Sequence, residues 1–254
     1  MAGSLRDRHA LVTGGGRGIG LTIAETLSGA GARVTVVGRD AGALGDAVAA
    51  GKAHGYMVAD VTDAVAIKMA AEIAAEDRGP VDLLIANAGA AQSAPFAKSD
   101  AQLFRRMLDV NLMGVAHAAQ AVLAGMVERG FGRIVAIAST AGLKGYPYVS
   151  AYCAAKHAVV GLVRSLALET AATGVTVNAV CPGFTDTDLV GDSLDRIVAK
   201  TGRSRDEALA ELVRHNPQNR LIEPREVADA VLWLCGEGAR SVTGQAIAVA
   251  GGEV

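Results

Sequence analysis

The sequence predicts an α/β fold built as one doubly wound domain, a seven-stranded parallel sheet with helices on both faces and a helical lid insertion. Two observations carry this. Short β-branched apolar runs alternate with longer segments of helical period along the whole chain. The first of these runs leads straight into a glycine-rich turn and then a helix. A chain of 254 residues suits one domain, 1–254, with a continuous core better than two domains with separate cores.

The expected strands are His9 to Thr13, Arg33 to Val37, Gly55 to Ala59, Val81 to Ala86, Arg133 to Ser139, Val175 to Cys181 and Ala246 to Ala250. Each is short and apolar enough to be covered on both faces. Helices are expected at about Ile19 to Ala30, Asp40 to Ala50, Asp63 to Arg78, Asp100 to Arg129, Ala151 to Thr173 and Pro224 to Cys235. Several open on Asp, whose carboxylate accepts from the first free N–H groups, and Pro224 suits a first helical turn. The stretch 184–221 breaks the rhythm: it is charged and carries no strand pattern, so it reads as a helical insertion covering the site.

Composition narrows the partners. With 24 Lys and Arg against 26 Asp and Glu, the formal net charge of -2 gives no electrostatic reason to expect nucleic acid or an anionic membrane. Residues 1–8 lack the apolar core of a secretory signal, and no run approaches the roughly 18 consecutive apolar residues of a spanning helix. Cys153, Cys181 and Cys235 are odd in number and widely spaced, which fits buried thiols in a reducing cytoplasm rather than a disulfide framework or a zinc site. The five histidines share no ligand spacing, so no metal is expected.

The glycine-rich turn is TGGGRGIG, Thr13 to Gly20. Gly14, Gly18 and Gly20 permit a tight turn, a close approach of backbone to a pyrophosphate, and close helix–strand packing, as in Rossmann-type dinucleotide sites. At the tip of the second strand, where an acidic residue would bind the adenosine ribose of NAD, stand Gly38 and then Arg39. Arg39 with Arg17 could clamp a 2′-phosphate, so NADP(H) is favoured. An inward-turned Asp40 would instead suit NAD(H), which stays open.

Further elements follow in order: Asp60-Val61, Asn87-Ala88-Gly89, Asn111, Ser139, and Tyr152-x-x-x-Lys156. With TGxxxGxG, this set resembles the short-chain dehydrogenase/reductase family across essentially the whole chain. The resemblance implies that Gly14, Arg17, Ile19 and Gly20 line the pyrophosphate, Asp60 and Val61 meet the adenine, and Asn87 with Gly89 borders the adenosine. It also places Pro182, Gly183 and Thr185 on the nicotinamide side. Tyr152 and Lys156 would serve both catalysis and cofactor binding.

Carbonyl reduction gives the catalytic residues a reason of their own. Negative charge grows on the substrate oxygen, so a donor must be aimed there and then surrender a proton. Tyr152 is the expected donor, with Lys156 four residues on, on the same helix face, expected to lower its pKa and hold the nicotinamide ribose. Ser139 is expected to hydrogen-bond the substrate oxygen, and Asn111 to hold a water linking Lys156 to solvent. The string GDSL at 191–194 also marks a group of serine esterases, but Ser193 sits late in the insertion rather than after an early strand, and is set aside. A dinucleotide-binding scaffold without turnover should have lost one of Ser139, Tyr152 or Lys156, and all three are present.

The expected pocket wall is 140–149, including Gly142, Leu143, Gly145, Tyr146, Pro147, Tyr148 and Val149. In the lid, Arg196, Lys200, Arg203 and Arg205 could meet phosphates of coenzyme A or a carrier protein, although Asp186, Asp188, Asp192 and Asp195 make it a mixed-charge face. The sequence is most similar to the branch acting on 3-oxoacyl or 3-hydroxyacyl thioesters, which includes polyketide ketoreductases; a free secondary alcohol or cyclic ketone is the alternative substrate. The long apolar helices at 100–129 and 151–173 suggest a homotetramer with a four-helix interface. The resemblance also implies that the tail 251–254 packs across a two-fold axis.

Overall fold

A computed structural model describes residues 5–254; the first four residues, and within the lid the side chains of Leu189, Asp192, Arg196, Ile197 and Lys200, lie outside it. The expectations about the first residues of the chain and about Asp192, Arg196 and Lys200 therefore fall outside the described residues. Seven parallel strands form one sheet in the order β3-β2-β1-β4-β5-β6-β7. They are β1 (His9–Thr13), β2 (Arg33–Gly38), β3 (Gly55–Val58), β4 (Leu83–Ala86), β5 (Gly132–Ile137), β6 (Val175–Pro182) and β7 (Ala246–Val249). The order reverses at β1, which pairs with both β2 and β4. That reversal opens a crevice at the carboxyl ends of the strands, where ligands of such sheets bind.

Side-chain alternation builds two cores from one sheet. Leu11, Leu84, Ile134 and Val177 face one side, against α3 (Ala64–Arg78), α5 (Gly114–Glu128) and α6 (Ser150–Thr170). Their neighbours Val12, Ile85 and Val135 face the other, with α1 (Gly18–Gly29), α2 (Ala41–Ala49) and α9 (Pro224–Cys235). All three cysteines are buried in the interior. Asp40 and Asp63 stand just outside α2 and α3 as caps, Asp40 accepting from Ala43 N–H and Asp63 from the N–H groups of Val65 and Ala66.

The expected helix 100–129 is one helical run with a defect. α4 (Ala101–Leu108), capped by Asp100, passes into a π-turn over Asp109–Met113 before α5 resumes. The π-turn carries Asn111, and such widened turns concentrate at functional sites. By length and mean hydropathy 101–128 is apolar enough to cross a bilayer, although charges interrupt it. Here Leu103, Met107, Val115, Ala118, Val122 and Met126 are buried inside the protein.

The insertion is helical as expected, with α7 (Asp188–Thr201) and α8 (Arg205–Val213), the latter opened by a reciprocal Ser204–Glu207 capping box. One parallel bridge, Thr185 to Ile222, closes its base. Phe184, Val190, Leu194, Ala208, Leu209, Leu212 and Leu221 form a small separate core, so the lid packs as a unit. Ser193 of the GDSL string lies within α7.

Candidate active site

Every site residue taken from the sequence lies on or just beyond the carboxyl end of a strand, or on the helical segments packed there. After β1, Gly14 adopts a φ of +65°, open to glycine at little cost. A Cβ on Gly20 would stand 2.2 Å from the Gly14 carbonyl oxygen, and one on Gly14 2.9 Å from the Ala88 Cα. The turn is therefore drawn against both α1 and the β4 loop. Arg17, at the start of α1, makes no side-chain cap, so the first N–H groups of that helix keep their role as an anion site. This uncapped helix behind a glycine cradle fits a dinucleotide pyrophosphate. Ile19 packs part-buried behind it.

Asn87 has a structural task there. Its amide donates to the carbonyls of Thr13 (3.0 Å) and Gly14 (3.1 Å), while the Thr13 hydroxyl accepts from the N–H groups of Asn87 and Ala88. The Asn87 amide is thus engaged in holding the turn in shape. Val61 is buried against Gly114, so its side chain belongs to the core. The carboxylate of Asp60 accepts from Thr62 and lies 3.7 Å from Arg39, and the Thr62 N–H bond holds its pKa below the usual carboxylate range. The Arg39 side chain is 79 % exposed, and Asp40 is occupied as the α2 cap.

Beyond β5, Ser139 opens a short 3₁₀ turn, Thr140–Gly142, with its hydroxyl oxygen accepting from Ala141 N–H at 3.1 Å. The expected strand ran to Ser139; it ends at Ile137, and the turn aims the serine instead. A Cβ on Gly142 would stand 2.7 Å from the Lys156 carbonyl, so only glycine lets this turn lie directly on α6. That contact sets Ser139 beside Tyr152.

Tyr152 differs from expectation in its acidity. Burial pushes its pKa up, partly offset by the Ser139 hydrogen bond. The Lys156 ammonium lies 5.7 Å from the Tyr152 ring centre and donates to the Ile137 carbonyl at 2.8 Å, so its charge stands beside the phenol without outweighing burial. Lys156 is itself buried, which lowers its pKa to about 8.

Asn111 joins this group from the π-turn. Its Nδ2 donates to the carbonyls of Ala90 and Met107, both at 2.9 Å, and its Oδ1 accepts from Ala90 N–H at 3.2 Å. Both amide hydrogens are spent, so a water relay through this side chain could use only the remaining lone pair of Oδ1. A Cβ on Gly89 would meet Asn111 Oδ1 at 2.8 Å and Lys156 Nζ at 3.5 Å, so Gly89 is the gap between them. On the far side, Pro182 ends β6, Gly183 N–H donates to Val249, and the buried Thr185 donates to the Gly183 carbonyl.

Two site contacts were not read from the sequence. Thr187 of the lid base sits nearest Gly18, with its methyl 3.5 Å from where a Cβ would be. Tyr146 and Lys144, on the 140–149 wall, both bond Glu253 of the C-terminal tail. The tail therefore anchors within its own chain. A lone carboxylate in the otherwise uncharged ending VAGGEV was the available signal.

Comparison with known proteins agrees with this geometry. The family model described as short chain dehydrogenase matches residues 8–197. A 3-oxoacyl-(acyl-carrier-protein) reductase of Haemophilus influenzae is 37 % identical over 249 residues, 98 % of each chain. A D-beta-hydroxybutyrate dehydrogenase of Cupriavidus necator is 37 % identical over 250 residues, 94 % of this chain and 95 % of that protein. A crystal structure of an actinorhodin polyketide ketoreductase variant with NADPH superposes with a TM-score of 0.92 at 39 % identity, covering 100 % of this chain and 99 % of that one. The chain belongs to the short-chain dehydrogenase/reductase family, in its ketoreductase branch, and is an oxidoreductase acting on a ketone or its alcohol.

Proposed function

We propose that this enzyme reduces the 3-oxo group of an acyl thioester, carried by coenzyme A or a carrier protein, at the expense of NADPH. The observation that carries the reaction is the Ser139–Tyr152–Lys156 arrangement at the β5 end. Burial keeps the Tyr152 phenol protonated, which is the state an acid needs before reduction. In this reading Tyr152 donates its proton to the carbonyl oxygen, and the Ser139 hydroxyl donates a hydrogen bond to the same oxygen. Lys156, protonated below its pKa of about 8, places positive charge beside the phenolate left behind. NADPH, when bound, supplies the hydride. Asn111 acts by fixing the 87–90 loop against the π-turn.

NADPH is favoured over NADH because Arg39 is exposed at the tip of β2 while Asp40 is committed to capping α2. The NADPH in the actinorhodin ketoreductase structure supports the same choice. Thioesters are favoured because the similar Haemophilus and actinorhodin enzymes are named for ketoacyl or polyketide substrates. A free 3-oxo acid is the second reading, favoured by the Cupriavidus hydroxybutyrate dehydrogenase.

The deciding experiment follows nicotinamide absorbance with acetoacetyl-CoA, free acetoacetate and a cyclic ketone, each with NADPH and NADH. Highest kcat/KM for acetoacetyl-CoA with NADPH is expected. A preference for acetoacetate or for the cyclic ketone would overturn the substrate, and a preference for NADH would overturn the cofactor.

A further inference from the structure

We propose that Glu253, the penultimate residue, is a positioning residue for the substrate side of the site, tying the 140–149 wall to the lid. This rests on reading 140–149 and 184–221 as the substrate pocket. The Glu253 side chain is 1 % exposed, an expensive place for a carboxylate unless it is fully engaged. It is engaged by the pocket wall. Tyr146 donates its hydroxyl to Oε1 at 2.5 Å, and Lys144 Nζ lies 3.1 Å from the same oxygen. Lys144 also donates to the Glu253 backbone carbonyl at 3.2 Å.

The bonding has one direction. A phenol carries a single proton, and the carboxylate, as the stronger acceptor, takes it; the Thr140 hydroxyl then donates to Tyr146 Oη at 2.7 Å. Thr140 follows Ser139 in the chain, so this hydrogen-bonded line begins one residue from the candidate catalytic serine. Burial and the Glu253 bond both drive the Tyr146 pKa far upward, keeping that proton in place.

The same tail touches the lid. Gly251, at a φ of +62°, lies so close to Asn216 that a Cβ would stand 2.1 Å from Oδ1, and Gly252 packs on Pro217. Asn216 is buried and holds the lid exit by donating to the Arg220 carbonyl and accepting from Gln218 N–H, both at 2.8 Å. The Tyr146 ring in turn stands edge-on to Phe184 at 6.2 Å and to His215 at 6.3 Å. A Cβ on Gly183 would come within 3.2 Å of the second Glu253 oxygen. One carboxylate thus lies at the meeting point of the wall, the nicotinamide-side loop and both ends of the lid. Loss of it should loosen substrate binding while leaving the proton donor and the cofactor cradle intact.

The test compares Glu253→Ala, Glu253→Gln and Tyr146→Phe with the wild type in the full-length enzyme, using acetoacetyl-CoA and a cyclic ketone. KM should rise by about 10- to 100-fold in Glu253→Ala, the consequence of losing a buried charged hydrogen-bond partner, with kcat changed by less than about threefold. Glu253→Gln should show a smaller rise that is not additive with that of Tyr146→Phe. NADPH affinity, measured by fluorescence titration, should fall by much less than KM rises, because Glu253 meets the cofactor side only at Gly183 and not at the glycine turn. Backbone hydrogen exchange should quicken in 140–149 and 205–221 but not in β1 or β4. Unchanged KM and unchanged exchange in a folded Glu253 variant would overturn the proposal, as would equal losses in kcat and NADPH affinity. If Glu253→Ala does not fold, Glu253→Gln decides alone. A wild type that turns over neither ketone refutes the functional reading, while the exchange measurement still decides the role of Glu253.

Discussion

Lys156 lies over the face of Tyr152, its Nζ 5.7 Å from the ring centre, and is held there by a 2.8 Å bond to the Ile137 carbonyl. The lysine is thus fixed by β5, the strand that also delivers Ser139, so β5 and α6 set the geometry together. Burial brings the ammonium to a pKa of about 8, within reach of ordinary assay conditions.

A pH dependence follows from that value. The charged form, present below about 8, stabilises the developing phenolate, so kcat for reduction should be level at neutral pH and fall as pH rises through about 8. Lys156→Met should lower kcat and abolish this limb. A profile with the same alkaline limb in the variant would assign the titration to another group.

Cofactor choice is tested at β2. Arg39→Asp puts a negative charge where the 2′-phosphate is proposed to lie, and should shift preference toward NADH by about 1 to 3 kcal/mol, the usual size of a charge-assisted hydrogen bond. Ratios of kcat/KM for the two cofactors measure it; an unchanged ratio removes Arg39 from the site.

A second pH effect concerns the fold. His9 is buried on β1, with Nδ1 2.6 Å from the Gly79 carbonyl and Nε2 2.9 Å from the Thr35 hydroxyl. A carbonyl can only accept, so Nδ1 carries the proton and Nε2 accepts from Thr35. Desolvation lowers the His9 pKa below the ordinary 6.5. The unfolded chain then binds a proton before the folded one does. Stability is therefore full above about 6.5 and declines as pH falls from there toward the lower folded value. Thermal unfolding across that range should show the decline in wild type and a flatter profile in His9→Asn.

Association is the fourth expectation. Leu168 on α6 is 81 % exposed, and Val127 on α5 and Met113 at the end of the π-turn are exposed as well. These residues on the α5 and α6 segments support the proposed homotetramer with a four-helix interface. Light scattering should give about four times the chain mass of 25.8 kDa; a monomer would refute the interface.

The architecture was legible because a parallel sheet covered on both faces needs short apolar strands and periodic helices, and both patterns are local. The candidate chemistry was legible through short local strings, the glycine turn and Tyr152-x-x-x-Lys156, whose order along the chain with Ser139 carries the family resemblance. The rest depended on distant packing. Nothing local in the sequence marks the π-turn that carries Asn111, and the tyrosine pKa is set by burial, which spacing does not report. Glu253 meets Tyr146 across 107 positions of chain, a contact that only the folded tail creates.

The most direct test of the account is single-turnover reduction by Tyr152→Phe with saturating NADPH, alongside titration of NADPH binding. Removing the phenolic proton should slow the step by roughly 10² to 10⁴-fold, the contribution of a general acid, with NADPH affinity unchanged. A variant that reduces the ketone at a rate near the wild type would contradict the assignment of Tyr152 as the proton donor.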